Sequence, residues 1–247
     1  MRPLWALLRR ELIATWTSPI AWVVLGIFLV LSGVYFYEIL WVLSRPSAPY
    51  GTPMAMFFGG SLLSYVPLLL FVAAITMRTF AEEVHAGTIE PLLTAPIGTN
   101  AVVAAKFLGA YLFYLALWVP TLIYPLLLSR WSDPALGPIA AGYLGVALLG
   151  AVLVALGVLA SALARTQIVA AILAFGFSGL LLLAGIAAYI LPPGSLAARV
   201  LRHASVFELM DRFRVGLVDS RDVVFCVTLS ALALFLCRAV LDGRRSS

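Results

Sequence analysis

Charge is what this sequence has least of. Only 11% of its 247 residues are charged, 63% are hydrophobic, and the mean hydropathy is +1.07. Soluble domains carry about 25% charged residues, so this composition excludes a soluble globular domain and leaves a multi-pass membrane protein. Cysteine is nearly missing too. Cys226 and Cys237 lie eleven residues apart in one apolar segment. A helix separates such positions by about 16 Å, beyond disulfide reach, and no metal-type spacing remains. The two histidines, His85 and His203, fall outside the apolar segments. No His-Glu-x-x-His pattern, Ser/His pair or paired aspartates occur within those segments. No Gly-x-x-x-x-Gly-Lys-Ser/Thr loop exists, so the chain is not expected to hydrolyse ATP itself. No catalytic, cofactor-binding or metal-binding residue is therefore assigned. The net charge of +5 comes from arginines at segment ends, a membrane-flanking pattern rather than a nucleic-acid surface. Lipids, not nucleic acid, are the implied surroundings. The first apolar segment is long enough to span and has no small-residue cleavage site, so no cleavable signal peptide is expected.

Six apolar segments long enough to cross a bilayer core are present: 20–43, 54–77, 101–129, 135–163, 167–191 and 222–241. Spans three and four reach about 43 Å as ideal helices, so they must tilt, kink or protrude. Pro120 and Pro125 supply kinks in span three. Ser18 is placed to cap span one, with Pro19 at its first helical position. Small residues four apart, Gly157/Ser161 and Ala170/Ala174/Ser178, permit close helix approach either inside the bundle or at a dimer seam. Ahead of span one, residues 2–17 repeat Leu4, Trp5, Leu8, Leu12 and Trp16 at helical spacing. That is the pattern of an amphipathic helix lying in the membrane interface. The fold class expected is an all-α membrane protein of six transmembrane helices, preceded by an interfacial helix and formed as a single domain over 1–247.

With the amino terminus inside, nine basic residues are cytoplasmic: Arg2, Arg9, Arg10, Arg78, Lys106, Arg165, Arg238, Arg244 and Arg245. Seven are external: Arg45, Arg130, Arg199, Arg202, Arg212, Arg214 and Arg221. Five of those seven lie in segment 192–221, and outside it the tally is nine against two, which favours two cytoplasmic termini. That segment alternates apolar and charged residues and reads as two short amphipathic helices on or dipping into the outer leaflet. The one ionisable residue well inside an apolar run is Glu38. An intramembrane carboxylate is a candidate functional group, and here it faces a vestibule or caps a neighbour.

The longest charged island in the first two-thirds of the chain is 77–96, between spans two and three. Such a segment cannot sit in lipid. Arg78 to Ala86 reads as a short helix with Glu82 and Glu83 exposed, ended by Gly87. Thr88 then caps a second short helix with Glu90 and Pro91 in its first turn.

Three stretches carry a resemblance. Glu83-x-x-x-Gly87-Thr88-Ile89-Glu90-x-Leu92-Leu93-Thr94-x-Pro96 resembles the coupling segment of ABC-2 type transporter permeases. Arg10-Glu11-Leu12 with Ser18-Pro19-Ile20-Ala21 adds to it, as does Phe213-Arg214-x-Gly216-Leu217-Val218-Asp219-x-Arg221-Asp222-Val223. Together they are similar to the branch containing the gliding-motility-associated permease. The resemblance implies the permease subunit of an ATP-driven exporter in a bacterial inner membrane. A second copy or a related permease would pair with it, and a separate ATPase subunit would bind ATP and Mg. A periplasmic auxiliary subunit is a further implied partner. By position, Arg78, Glu82, Glu83, Gly87, Thr88 and Glu90 in segment 78–98 fall to ATPase coupling. Phe207, Phe213 and Arg214 in segment 192–221 fall to an outer gate. The cargo would be lipid-like, polymeric or peptide.

Two other classes compete. A non-transporting membrane anchor or assembly subunit fits the apolar spans equally well. A self-sufficient secondary transporter needs polar residues at the bilayer midplane, and the spans are almost bare of them.

Overall fold

The computed structural model describes residues 2–45, 51–59, 62–88, 98–192, 195–203 and 205–246, and every regular element among them is helical. Helix α1 is Arg2–Thr17 and α2 is Pro19–Leu43. Ser18 makes the elbow between them in extended conformation, φ −73° and ψ 125°, but its side chain makes no capping bond. The break rests instead on Pro19, whose missing N–H costs nothing in a first turn.

The expected second span is not one helix. It divides into α3, Pro53–Phe58, and α4, Leu62–Thr76. Thr52 caps α3 through a bond from the Ala55 N–H, and Gly59 ends it in extended conformation. Glycine is a poor helix former, and Gly59 is where α3 stops. The Arg214 side chain lies where a Cβ on Gly59 would be, so this position also needs a residue without one. The apolar part of α4, Tyr65–Thr76, is about 18 Å long and too short to cross alone.

Helix α5 is Ala81–His85, α6 is Thr99–Trp118, and a 3-10 turn at Pro120–Leu122 leads into α7, Ile123–Leu128. The bend thus falls at Pro120, as the proline lesion in the i→i−4 ladder requires. Then follow α8, Leu136–Leu163; α9, Gln167–Ile190; α10, Leu196–His203; α11, Val206–Arg214; and α12, Ser220–Ser246. Five helical stretches among the described residues are long and apolar enough to cross a membrane. They are Pro19–Leu43, Thr99–Leu128, Leu136–Leu163, Gln167–Ala188 and Ser220–Arg244.

Helix α8 is the central post. Of its apolar window 72% is buried, against 17% for α2 at the edge. Four glycines along it admit neighbours: a Cβ on Gly142 would strike Phe58, on Gly145 Phe213, on Gly150 Tyr114, and on Gly157 Thr76. Without a hydrophobic drive between helices in lipid, such close approach is what packing relies on. The small-residue rows of α8 and α9 serve the same packing: Ala174 meets Ala73 and Ala160, and Ala170 meets Ala81 and Ala164.

Candidate functional site

At one end of the bundle α1, α5, the start of α6 and the end of α12 come together. Thr99 Oγ1 donates to Asp242 Oδ1 at 2.7 Å, tying α6 to α12. Helix α1 lies against α6, with the Glu11 Cβ seated 3.0 Å from where a Cβ on Gly109 would be. Leu8 is buried, whereas Trp5 and Ile13 point outward. The amphipathic stripe therefore divides its apolar residues between the bundle and the surroundings.

Helix α5 is fastened to α8 at its start and closed on itself at its end. At its start, Ser161 of α8 accepts hydrogen bonds from the Phe80 and Ala81 N–H groups, each 3.0 Å, and donates to the Met77 carbonyl at 3.2 Å. The first N–H groups of a helix have no partner within it, so a serine hydroxyl from another helix does the work of a cap. Ser161, Phe80 and Ala81 are all fully buried. At its end, the chain turns left-handed at Gly87, φ 70°. The Thr88 N–H bonds the Glu83 carbonyl at 3.0 Å and the Gly87 N–H bonds Val84 at 3.3 Å. That paired pattern is a Schellman close, which glycine permits without steric cost.

Glu83 does not point free, contrary to the exposure expected of it. Its Oε1 lies 2.9 Å from Lys106 Nζ and 3.2 Å from Arg10 Nη2, and its Oε2 is buried with no hydrogen-bond partner among the described residues. Glu11 completes the group, 2.8 Å from Arg10 and 3.4 Å from Lys106. The lysine side chain is only 4% exposed and also lies over the Phe80 ring at 5.1 Å. Two cations and two carboxylates thus join α1, α5 and α6 in one neutral cluster. Burying such charges is tolerable only when they are paired. The hydrogen bond to Glu11, ahead of the opposing effect of partial burial, raises Arg10 above its ordinary value. Its stabilising contribution is therefore complete across the physiological range and fades only in strong alkali.

The remaining assigned residues surround this core. Glu82, Gly87 and Thr88 are exposed, as are the neighbouring His85 and Ala86, and Arg78 is half-buried. Glu90, Pro91 and the rest of the second short helix lie outside the described residues. Lys106 and Glu11 were not assigned from sequence as site residues. The available signal was a lysine about two turns inside an apolar helix, which requires an acidic partner.

The opposite end holds α10 and α11. Helix α11 is not a lipid-surface helix as expected: Val206, Leu209, Met210 and Phe213 are buried against the bundle, chiefly α8. Phe213 is fully buried with its ring on Gly145, which makes it a packing anchor. Phe207 is half-buried and meets Tyr65 edge-on at 5.2 Å. Arg214 bonds Asp211 at 2.6 Å. Arg212 grips Asp222 of α12 through two bonds of 2.7 Å, and these raise the guanidinium above its ordinary value. Glu38 is exposed on α2, with no ion-pair partner among the described residues.

Among the described residues no three metal-ligating side chains cluster. No curated protein matches the sequence. A family model described as "ABC-2 family transporter protein" matches residues 5–200, a range that takes in most of α1, the elbow, α5 and the whole ion-paired cluster. From the fastened polar end of an apolar helical bundle and from that match, the chain belongs to the ABC-2 transporter family, as a membrane subunit of an ABC transporter.

Proposed function

We propose that this chain is the permease subunit of an ATP-driven exporter and that the segment beginning at Arg78 couples it to a separate ATPase subunit. The observation that carries the reading is the double fastening of α5. The Ser161 bonds tie it to α8, and the Glu83 ion pairs tie it to α1 and α6. A push on the exposed tip at His85–Thr88 is then delivered to three helices instead of being absorbed by a loose loop. Residues 78–98 divide by role: Glu83 transmits, while Gly87 and Thr88 shape the tip that a partner meets. Glu90 belongs to the coupling residues in the same reading.

The tip end is cytoplasmic in this reading, where the ATPase resides and where most basic residues outside 192–221 fall. Helices α3 and α4 together make the sixth crossing of the bacterial inner membrane, broken at Gly59. The likeness of 213–223 to the gliding-motility-associated branch supports placing the chain there, with a second permease copy or a related permease and an external auxiliary subunit as partners. Phe207, Phe213 and Arg214, all on α11, with Arg214 against Gly59, are the outer-gate residues in this reading, and a lipid-like, polymeric or peptide cargo suits the apolar helices.

The test is transport-coupled ATP hydrolysis by the chain reconstituted with its ATPase subunit. Glu83→Lys reverses a charge inside the cluster, and Gly87→Val forces a β-branched residue to positive φ. Both variants are expected to insert and to lose the transport-dependent stimulation of hydrolysis. Normal stimulation in both would overturn the proposal.

A further inference from the structure

Beside the ion-paired cluster, with Glu11 and Lys106 in its wall, is a cavity of about 240 Å³ between the α1–α2 elbow, the end of α4 and the start of α6. Its lining is mixed: Thr15, Ser18, Arg78 and Glu82 are polar, and Val24 and Phe113 are apolar. The elbow marks the height of the membrane interface. Trp16 and Trp22, both exposed, meet edge-on at 5.9 Å, and the Trp22 N–H bonds the Trp16 carbonyl at 3.0 Å. Tryptophans so placed belong at the headgroup level.

Two charges lining this cavity have no ion-pair partner among the described residues. They are Arg78, whose Nε is buried with no hydrogen-bond partner among those residues, and Glu82. The neighbouring Lys106 and Glu11 already satisfy each other and their partners. A guanidinium that lines a cavity without an anionic partner is incompletely satisfied, and a phosphate is the acceptor its planar fork suits best. A carboxylate at the same mouth adds a place for an ammonium. An apolar wall leading into the bilayer adds a place for acyl chains.

We propose that this cavity holds the headgroup of a membrane phospholipid of the phosphoethanolamine type, its phosphate on Arg78 and its ammonium toward Glu82. The site is distinct from the tip offered to a partner protein. It sits where α1, α2, α4 and α6 meet, so an occupied site wedges the elbow against the fastened end of α5.

The experiment is native mass spectrometry of the full-length chain released from nanodiscs of equal phosphatidylethanolamine and phosphatidylglycerol. Free phosphoethanolamine is offered in a parallel arm. Wild type is expected to retain phosphatidylethanolamine in preference to phosphatidylglycerol and to ignore the free headgroup. Arg78→Ala should lower retention about tenfold, the loss of roughly one charge-assisted hydrogen bond, and Arg78→Lys should restore part of it. Glu82→Gln should abolish the preference between the two lipids. Ala14 is exposed on α1 and lines the cavity, so Ala14→Phe should expel the lipid without changing the melting temperature. Equal retention by wild type and both the Arg78→Ala and Ala14→Phe variants would overturn the assignment. So would a preference for phosphatidylglycerol, or displacement of lipid by free phosphoethanolamine at matched concentration.

Discussion

Removing a single hydroxyl probes the fastening of α5 most directly. Ser161→Ala leaves the Phe80 and Ala81 N–H groups buried and without an acceptor, at a cost of about 2 kcal/mol. Thermal unfolding in detergent should show the destabilisation, and the tip at 85–88 should become protease-sensitive before the bundle melts. Ser161→Thr keeps the hydroxyl, and its added methyl tests whether space or bonding matters. An unchanged melting curve and tip in Ser161→Ala would mean that the cap contributes nothing. Residues of this kind show how far the sequence could be read. Gly87 was legible as a helix stop because only glycine takes φ 70° freely. Glu83 was legible as important but not as enclosed, since its partners Arg10 and Lys106 lie 73 and 23 positions away and nothing in the local pattern links them. Ser161 was read as a small residue for helix approach, and its hydroxyl had no visible partner in sequence.

Among elements, the contact of α4 with α8 is sensitive to volume. Gly157 leaves no room for a Cβ beside Thr76, whose own hydroxyl is turned back to the Val72 carbonyl at 2.8 Å. Gly157→Val should therefore push α4 off α8, at about 1–3 kcal/mol by the usual cost of overpacking. Because α4 runs straight into the Met77–Phe80 turn under Ser161, the same variant should also weaken ATPase stimulation. A variant that melts lower but couples normally would separate the two roles. Long apolar helices were readable from length alone, and α2, α8, α9 and α12 keep close to their expected bounds. The second span was not, because hydropathy does not register the stop at Gly59, against which Arg214, 155 positions later, is packed. Helix α11 was legible as amphipathic, but its apolar face is covered by α8 rather than lipid, a difference no pattern within 206–214 encodes.

For the molecule as a whole, the bonds holding α5 have a temporal meaning. Ser161 lies 81 positions after Phe80, and chains are made at about 5–20 residues per second. The tip segment therefore spends several seconds outside the ribosome before its cap exists. Until α8 has entered the bilayer, the Phe80 and Ala81 N–H groups have only water, and the segment is exposed to proteases and to premature capture by its ATPase. Truncations halted before residue 150 and after residue 200 should differ accordingly. The shorter nascent chain should be cleaved within 78–88, and the longer one should resist. Readiness to engage a partner is in this way delayed until the central helix is in place, and an unfinished permease presents no finished handle.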